Sequence, residues 1–358
     1  MAGKRKPKAA TKPAPKAVVK VKKKLKQAPA AVPKLKSVPF WIGFDLGGTK
    51  MLACVLDKDY NVLGTARKST NGSDGQAKGR KKIVNCVHEA IVSAGVDPKG
   101  IQGIGIGCPG LVNPERGVLL VAPNLGWHNM GLSALLTKEF CVPVSVLNDV
   151  DAGTFGEYKL GAAMGARSVL GVFPGTGVGA GFVYNGQLVM GRTISCMELG
   201  NIMLPGTHLG SSEFGTVILE DLTSRLAVAA QAGVGCYRGQ APELNRRTAG
   251  NLRDIRSKAI ATSMKSADEA MVTVIRNSIR YLGMGVAMVV NLFAPDQIVL
   301  GGGLVEELPT VYLTMLKEEV ARYAMPELVK GLKFSIAKLS GTAVAVGSVA
   351  WLRNGEAA

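Results

Sequence analysis

The sequence predicts an α/β protein made of two related halves, and three observations carry that reading. An apolar run at residues 40–44 (Phe40, Trp41, Ile42, Phe44) ends on Asp45, turns through Gly47 and Gly48, and resumes as a second apolar run at 51–56. Two short apolar runs joined by a glycine turn read as a β-hairpin. The same strand, glycine turn and strand recur at 169–173, 175–181 and 182–184. Around these pairs, short apolar runs alternate with helical periodicity, which is how α/β sheets are assembled.

The bulk composition agrees. A chain of 358 residues has the length of about two domains, and 47% hydrophobic with 19% charged residues describes a globular protein. Glycine, at 45 residues, is about twice as common as in average usage. Because the glycines cluster, they read as loops that let a ligand approach the backbone. The net charge of +17 is unevenly placed: residues 1–38 hold 13 of the 43 Lys+Arg and none of the 26 acidic residues. That Lys/Ala/Pro segment is expected to be a disordered basic tail, since its prolines interrupt any helix and its charges repel. Lysine density of this kind suits a polyanion such as nucleic acid, and equally a solubilising tail, because no aromatic side chain interleaves the charges. The six cysteines, with no Cys-x-x-Cys pair, suit reduced thiols in a cytoplasmic protein. No run of about 18 apolar residues predicts a membrane span, and the N-terminus lacks the apolar region of a secretion signal.

Taken in order, the hairpin leads to a third strand at 60–67, broken by Asn71-Gly-Ser-Asp-Gly75. Ile83, Val84, Val87, Ile91 and Ala94 fall at helical spacing and predict a helix over 76–94. Residues 101–108 form the next strand. Gly105, Gly107 and Gly110 match a dinucleotide-binding glycine pattern in spacing, but Pro109 and the residues after it do not open a helix, so that reading is rejected. Residues 113–117 form a turn, 118–121 a short strand and 122–127 a polar loop. Asn124 in that loop offers a donor and an acceptor, suited to adjacent hydroxyls or to a cap. A buried strand at 142–147 delivers Asn148-Asp149 at its end and a helix follows over 151–160, the position where α/β sheets bind ligands. Residues 191–250 read as irregular and polar. Ser266-Ala-Asp-Glu269 is a capping box opening a long helix to about Phe293. A strand at 298–300 runs into Gly301-Gly302-Gly303, and a strand at 334–339 precedes a closing helix through Trp351.

The chemistry concentrates in the turns. Gly47 and Gly48 turn backbone N–H groups outward toward phosphate oxygens, or simply close a tight hairpin. Asp45 suits a hydrated Mg²⁺, and Thr49 and Lys50 supply a donor and a charge. The spacing of a nucleotide-binding P-loop is absent. Gly175, Thr176 and Gly177 form a second such turn; two facing turns suit a polyphosphate, and the third, 301–303, suits a nucleoside.

Asp45-Leu-Gly-Gly-Thr-Lys50, Asn148-Asp149, the 175–181 glycine run, Glu198-Leu-Gly and Leu300-Gly-Gly-Gly303 occur in the order found in the ROK family, and the chain resembles that family over about residues 40–353. The family comprises sugar kinases, glucokinase among them, and related repressors. The resemblance implies a two-lobed actin-like/hexokinase (ribonuclease H-like) ATPase fold. The expected small lobe is 39–150, completed by a C-terminal helix at about 340–353, with a large lobe at 151–339. It implies transfer of the terminal phosphoryl group of ATP, with Mg²⁺ at Asp45 through water, to a hexose, glucose first among them. Asp149 would be the general base, and Asn124, Asn148, Glu198, Asn201 and Glu220 the sugar ligands. Gly47, Gly48, Thr49, Lys50, Gly175, Thr176, Gly177 and Gly301 to Gly303 would line the nucleotide. A homodimer also follows from the resemblance alone. The family's zinc site is not expected, because Asn201 stands at its histidine position and Ser211, Glu213 and Ile218 at cysteine positions. His208, nearby, reads as a surface or packing residue. Two alternatives accompany the kinase: polyphosphate as donor, recruited by the tail, and a non-catalytic sugar-sensing regulator tethered to nucleic acid by residues 1–38.

Overall fold

Two apolar runs separated by three residues satisfy their backbone groups most directly by pairing with each other. In the computed structural model, which describes residues 36–205, 215–266 and 268–356, they do so. β1 (Phe40–Leu46) and β2 (Lys50–Leu56) form the hairpin, and β3 (Val62–Ser69) pairs antiparallel with β2. α1 (Gln76–Ala94) has the predicted bounds and buries Ile83, Val87, Ala90 and Ile91. β4 (Ile101–Cys108) runs parallel to β1. β5 (Leu111–Asn113), β6 (Val118–Ala122) and β7 (Trp127–Gly131) make a small antiparallel sheet. α2 (Leu132–Phe140) then returns the chain to β8 (Val144–Asn148), parallel to β4. The first sheet has the order β3-β2-β1-β4-β8.

α3 (Asp149–Leu160) opens the second half. β9 (Ser168–Pro174), β10 (Val178–Tyr184) and β11 (Gln187–Leu188) form an antiparallel meander. β12 (Met203–Pro205) pairs with β13 (Thr216–Ile218). Five helices follow: α4 (Glu220–Thr223), α5 (Arg225–Tyr237), α6 (Pro242–Thr248), α7 (Ser257–Lys265) and α8 (Glu269–Phe293). β14 (Gln297–Leu300) is parallel to β9; α9 (Gly303–Glu307), α10 (Pro309–Tyr323) and α11 (Pro326–Val329) lead to β15 (Lys333–Ile336), and α12 (Ala343–Glu356) closes the chain. The order β11-β10-β9-β14-β15 repeats the first sheet strand for strand: three antiparallel, then two parallel. The two halves read from the glycine turns are therefore one topology used twice.

Three expectations give way. Residues 191–250 are not irregular throughout, because α5 and α6 lie there. The Ala/Gly-rich sequence of α5 carries little periodic contrast, and packing against α8 reveals its buried face. Nor does the 266–269 capping box form. Ser266 ends α7, while the Asp268 carboxylate accepts from the N–H groups of Glu243 and Leu244 and caps α6 instead. Trp127 is buried in β7 rather than lying in a polar loop. The tail reading falls, apart from its last residues, outside the described residues; within them, Lys36 exchanges backbone hydrogen bonds with Gly95 and Asp97.

Many of the glycines serve packing rather than ligands. α12 lies so close on the first sheet that a Cβ at Gly43 would sit 2.1 Å from the Ala345 carbonyl oxygen, and one at Gly105 2.3 Å from that of Ser348. α3 packs on the second sheet through side chains, with Val150 filling the space at Gly179 and Thr154 the space at Gly181. The two helices cross at Gly156 and Gly347; a Cβ at Gly347 would lie 1.8 Å from the Ala152 carbonyl oxygen. Beside the crossing, the fully buried Glu157 carboxylate accepts from the N–H groups of Ala162 (2.8 Å), Lys338 (3.0 Å) and Leu339 (2.7 Å), joining α3 to the segment that enters α12. Among the described residues, no helix is long and apolar enough to cross a membrane.

Replacing Glu157 with Ala strands three donors, each bonded to a charged acceptor, and is expected to cost about 3 kcal/mol or more in denaturant unfolding. Glu157→Gln keeps one carbonyl acceptor and should cost less.

Candidate active site

β1, β4 and β8 are parallel, so their C-terminal ends share one sheet edge. The register places Asp45 beside Gly107, and Cys108 beside Asn148. The next residue, Asp149, begins α3, with Asn148 as its N-cap: Asn148 Oδ1 accepts from the N–H groups of Val150 (2.8 Å) and Asp151 (3.3 Å). Asn148 Nδ2 donates to the Gly110 carbonyl, so this amide is largely committed to fixing the helix start. Gly107 makes the approach possible, since a Cβ there would lie 3.3 Å from the Asp149 Cα.

The 47–49 turn is held from β3. Thr70, fully buried, donates its hydroxyl to the Gly47 carbonyl (2.7 Å) and its N–H to that of Thr49 (2.8 Å). Gly48 faces Asn124, at 3.6 Å from a built Cβ to the Asn124 Cβ, so the turn and the exposed Asn124 share one surface. Lys50 is exposed at the start of β2.

The 175–177 turn is closed by a bond from the Gly175 N–H to the Gly177 carbonyl. Only Gly175 is open on its side-chain face; Gly177 makes room for Glu220, whose Oε2 accepts from the Val178 N–H at 3.1 Å. Gly200 also faces Glu220, which links the turn to the Leu199–Asn201 segment, where Asn201 Nδ2 donates to Glu198 Oε2 at 3.0 Å. Arg225 is a residue that sequence reasoning missed. Its N–H donates to the Gly175 carbonyl (2.8 Å) and its guanidinium to Thr176 Oγ1 (3.4 Å), and among the described residues no carboxylate pairs with it. It sits at the first position of α5, within the region read as irregular, so nothing in the sequence marked it.

The third turn meets the first carboxylates. Gly302 (φ +90°) passes under Pro174, where a Cβ would lie 2.6 Å from the carbonyl oxygen. Asp149, Phe173, Gly301, Gly302, Glu306 and Ser340 line one cavity of about 210 Å³. Asp149 is thus directly beside a space that opens on the 301–302 turn.

Four acids crowd this edge. Loss of water around Asp45, then repulsion by Asp149, push its carboxyl up to about 7, against a smaller pull from Arg67. Its carboxylate accepts no hydrogen bond from the described residues. Burial also pushes Asp149 above the ordinary carboxylate range, opposed by N–H donation to its carboxylate and reinforced by Glu198. Asp151, at 1% exposure, is raised further by burial, Asp149 and Glu198. A carboxylate raised toward neutrality is suited to take a proton from a hydroxyl. A hard-oxygen donor lacking hydrogen bonds suits Mg²⁺, which is commonly held by one or two carboxylates plus waters and substrate phosphates. Among the described residues no three His, Cys, Asp or Glu side chains form a complete metal cage. His208, Ser211 and Glu213 lie outside the described residues, and Ile218 ends β13.

The ROK family model matches residues 41–354, nearly the whole described chain. The protein belongs to the ROK family. A glucokinase of Halalkalibacterium halodurans is 29% identical over 87% of this chain and 94% of its own. The xylose repressor of Caldicellulosiruptor bescii is 26% identical over 88% of this chain and 78% of its own. Among solved structures, a ROK family glucokinase from Streptomyces griseus, in complex with glucose and AMPPNP, superposes with a TM-score of 0.75 at 29% identity, over 88% of this chain and all of that one. The fold of this ROK protein is accordingly the actin-like/hexokinase fold.

Folding raises the Asp45 pKa from its ordinary value to about 7, so the folded protein holds a proton that the unfolded chain has shed between about pH 4 and pH 7. Stability from this group falls as pH rises through that window. Asp45→Asn should therefore stabilise the protein at about pH 8 by on the order of 1–2 kcal/mol after solvent screening, seen as a higher melting temperature, and the gain should vanish near pH 4.

Proposed function

We propose that this protein is a sugar kinase that transfers the terminal phosphoryl group of ATP to a hexose hydroxyl, glucose to glucose 6-phosphate, with Asp149 as general base. One observation carries the reading: Asp149, raised by burial, lines the cavity that opens on Gly301 and Gly302 and lies within electrostatic reach of Glu198. A sugar hydroxyl is a weak nucleophile, and phosphoryl transfer depends mainly on alignment and charge neutralisation with one group orienting the attacking oxygen. Asp149 takes the hydroxyl proton. Glu198, steadied by Asn201, and Glu220, Asn124 and the free N–H of Asn148 hold the neighbouring hydroxyls. The 47–49 and 175–177 turns hold the phosphates, and Gly301 to Gly303 hold the nucleoside. Arg225 brings a positive charge to Thr176, where donor oxygens lie. Asp45 is the carboxylate that would hold Mg²⁺ through water; when bound, that ion neutralises phosphate charge. The reading includes two lobes, 39–150 with the C-terminal helix and 151–339, closing on the ligands.

A second reading, a sugar-responsive regulator without turnover, draws on the 26% identity to a xylose repressor. A panel of hexoses and xylose against ATP and polyphosphate, read as phosphorylated sugar, separates the readings. Turnover of glucose with ATP supports the kinase; sugar binding with no product from any pair removes it, and product from polyphosphate alone reassigns the donor. Asp149→Ala should lower kcat by about 10²–10⁴ while the protein still binds sugar. The kcat/KM of the wild type should fall as pH drops, with a midpoint above the ordinary carboxylate range, because Asp149 must be ionised to act. Arg225→Gln should raise KM for ATP about tenfold and leave KM for the sugar unchanged, as measured by steady-state kinetics.

A further inference from the structure

One row of paired residues crosses all five strands of the first sheet near its ligand-facing edge. Leu147 of β8 pairs with Gly107 of β4, Gly107 with Asp45 of β1, Asp45 with Leu52 of β2, and Leu52 with Arg67 of β3. Residues paired directly across strands point to the same face of a sheet. Here that face is the one α12 covers. Leu52 shares a core cluster with Ala345 and Val346 of α12, and a Cβ at Gly107 would lie 2.3 Å from Val344 Cγ1 and 3.3 Å from the Asp149 Cα. Asp149, Asp45 and Arg67 therefore stand on one side of the sheet.

The neighbours of Arg67 fix its direction. Ala66 packs against the core that contains Ile83 and Val87 of α1, and Lys68 Nζ donates to Glu89 of α1 at 2.7 Å. Successive side chains of a strand alternate, so Arg67 points away from α1. The basic residues around the 47–49 turn then divide in two. Lys68 is paired with Glu89, and Lys82 with Asp74 at 2.8 Å. Arg67 is exposed, and among the described residues no carboxylate forms an ion pair with it. Two strand spacings put about 10 Å between the Cα atoms of Arg67 and Asp45. Thr70, three residues further along, braces the 47–49 turn. A guanidinium without a carboxylate partner keeps its planar fork of donors for a phosphate.

We propose that Arg67 is a catalytic residue whose guanidinium grips the oxygens of the donor's terminal phosphoryl group, in front of the row that joins Asp45 to the approach of Asp149. The proposal deepens the kinase reading and rests on Asp149 as base and the 47–49 turn as a phosphate ligand. The nucleoside turn, 301–303, belongs to the second half, so the phosphate that reaches the first sheet is the one furthest from the nucleoside. In the transfer, the sugar oxygen bonds to phosphorus as the bond from phosphorus to the ADP oxygen breaks, and the hydroxyl proton passes to Asp149. Arg67 neutralises charge on the oxygens of the group in flight. Arg225 meets Thr176 at the other turn, so one arginine from each half holds the phosphate chain.

The test measures ATP and ADP binding by calorimetry, with steady-state kinetics alongside, for the full chain and its Arg67→Gln, Arg67→Lys and Lys68→Gln variants. Arg67→Gln is expected to weaken ATP about 10–100-fold and leave ADP unchanged, since ADP lacks the phosphate concerned. Its kcat should fall by at least that factor with KM for the sugar unchanged. Arg67→Lys should recover part of the loss, because it keeps the charge without the fork. Lys68→Gln, from the opposite face, should match the wild type. Equal weakening of ATP and ADP, no change in either, or an equal loss in Lys68→Gln overturns the proposal. A wild type that binds ATP without turnover removes the kinase reading, and the ATP-to-ADP comparison still decides the role of Arg67. If the wild type binds neither nucleotide, inorganic tripolyphosphate is the probe: binding that Arg67→Gln abolishes supports the assignment, and no binding overturns it.

Discussion

The close crossing of α3 and α12 is the constraint on which the rest of this structure depends. Each helix covers one of the two sheets, α12 the first and α3 the second, and each touches the other through glycine backbone at Gly156 and Gly347. Glycine is needed because two helices whose backbones meet leave no volume for a Cβ. The Glu157 carboxylate locks the arrangement by binding N–H groups of the segment that enters α12. α3 also starts with Asp149. The residue proposed as the base is therefore placed by the same packing that joins the repeated sheets, and its position is as rigid as that junction.

That placement is electrostatically expensive. Asp45, Asp149, Asp151 and Glu198 converge on one edge, and the three aspartates are pushed above the ordinary carboxylate range. The N-terminus of α3 offsets part of this through N–H groups and the helix dipole. The remainder is repulsion held by the fold, and a divalent cation with its phosphate ligands would relieve it. Sites that bind charged ligands are commonly left under such tension in the free protein.

How legible this was depended on the kind of signal. The hairpin of β1 and β2, the exact extent of α1 and the strand β4 were plain, because alternation and helical spacing are local properties of the chain. Asp45 and Asp149 were legible as strand-end carboxylates for the same reason. α5 was not, since its Ala- and Gly-rich sequence shows a buried face only once α8 is beside it. The glycines misled in part: their clustering read as loops that let a ligand approach, yet Gly43, Gly105, Gly179 and Gly181 make room for helices. A glycine demanded by a neighbouring helix and one demanded by a phosphate look identical in sequence.

By itself, then, the sequence determined the elements, their doubling and the acids at the ends of strands, because those follow from residue type and spacing. Tertiary structure alone decided the partners. It turned Asp268 to cap α6 instead of its own helix, gave Thr70 to the first turn and Arg225 to the second, and enclosed Asp151 away from every donor among the described residues. Each of these outcomes depends on a group distant in the chain, and burial and hydrogen-bond satisfaction are properties of neighbours in space rather than in sequence.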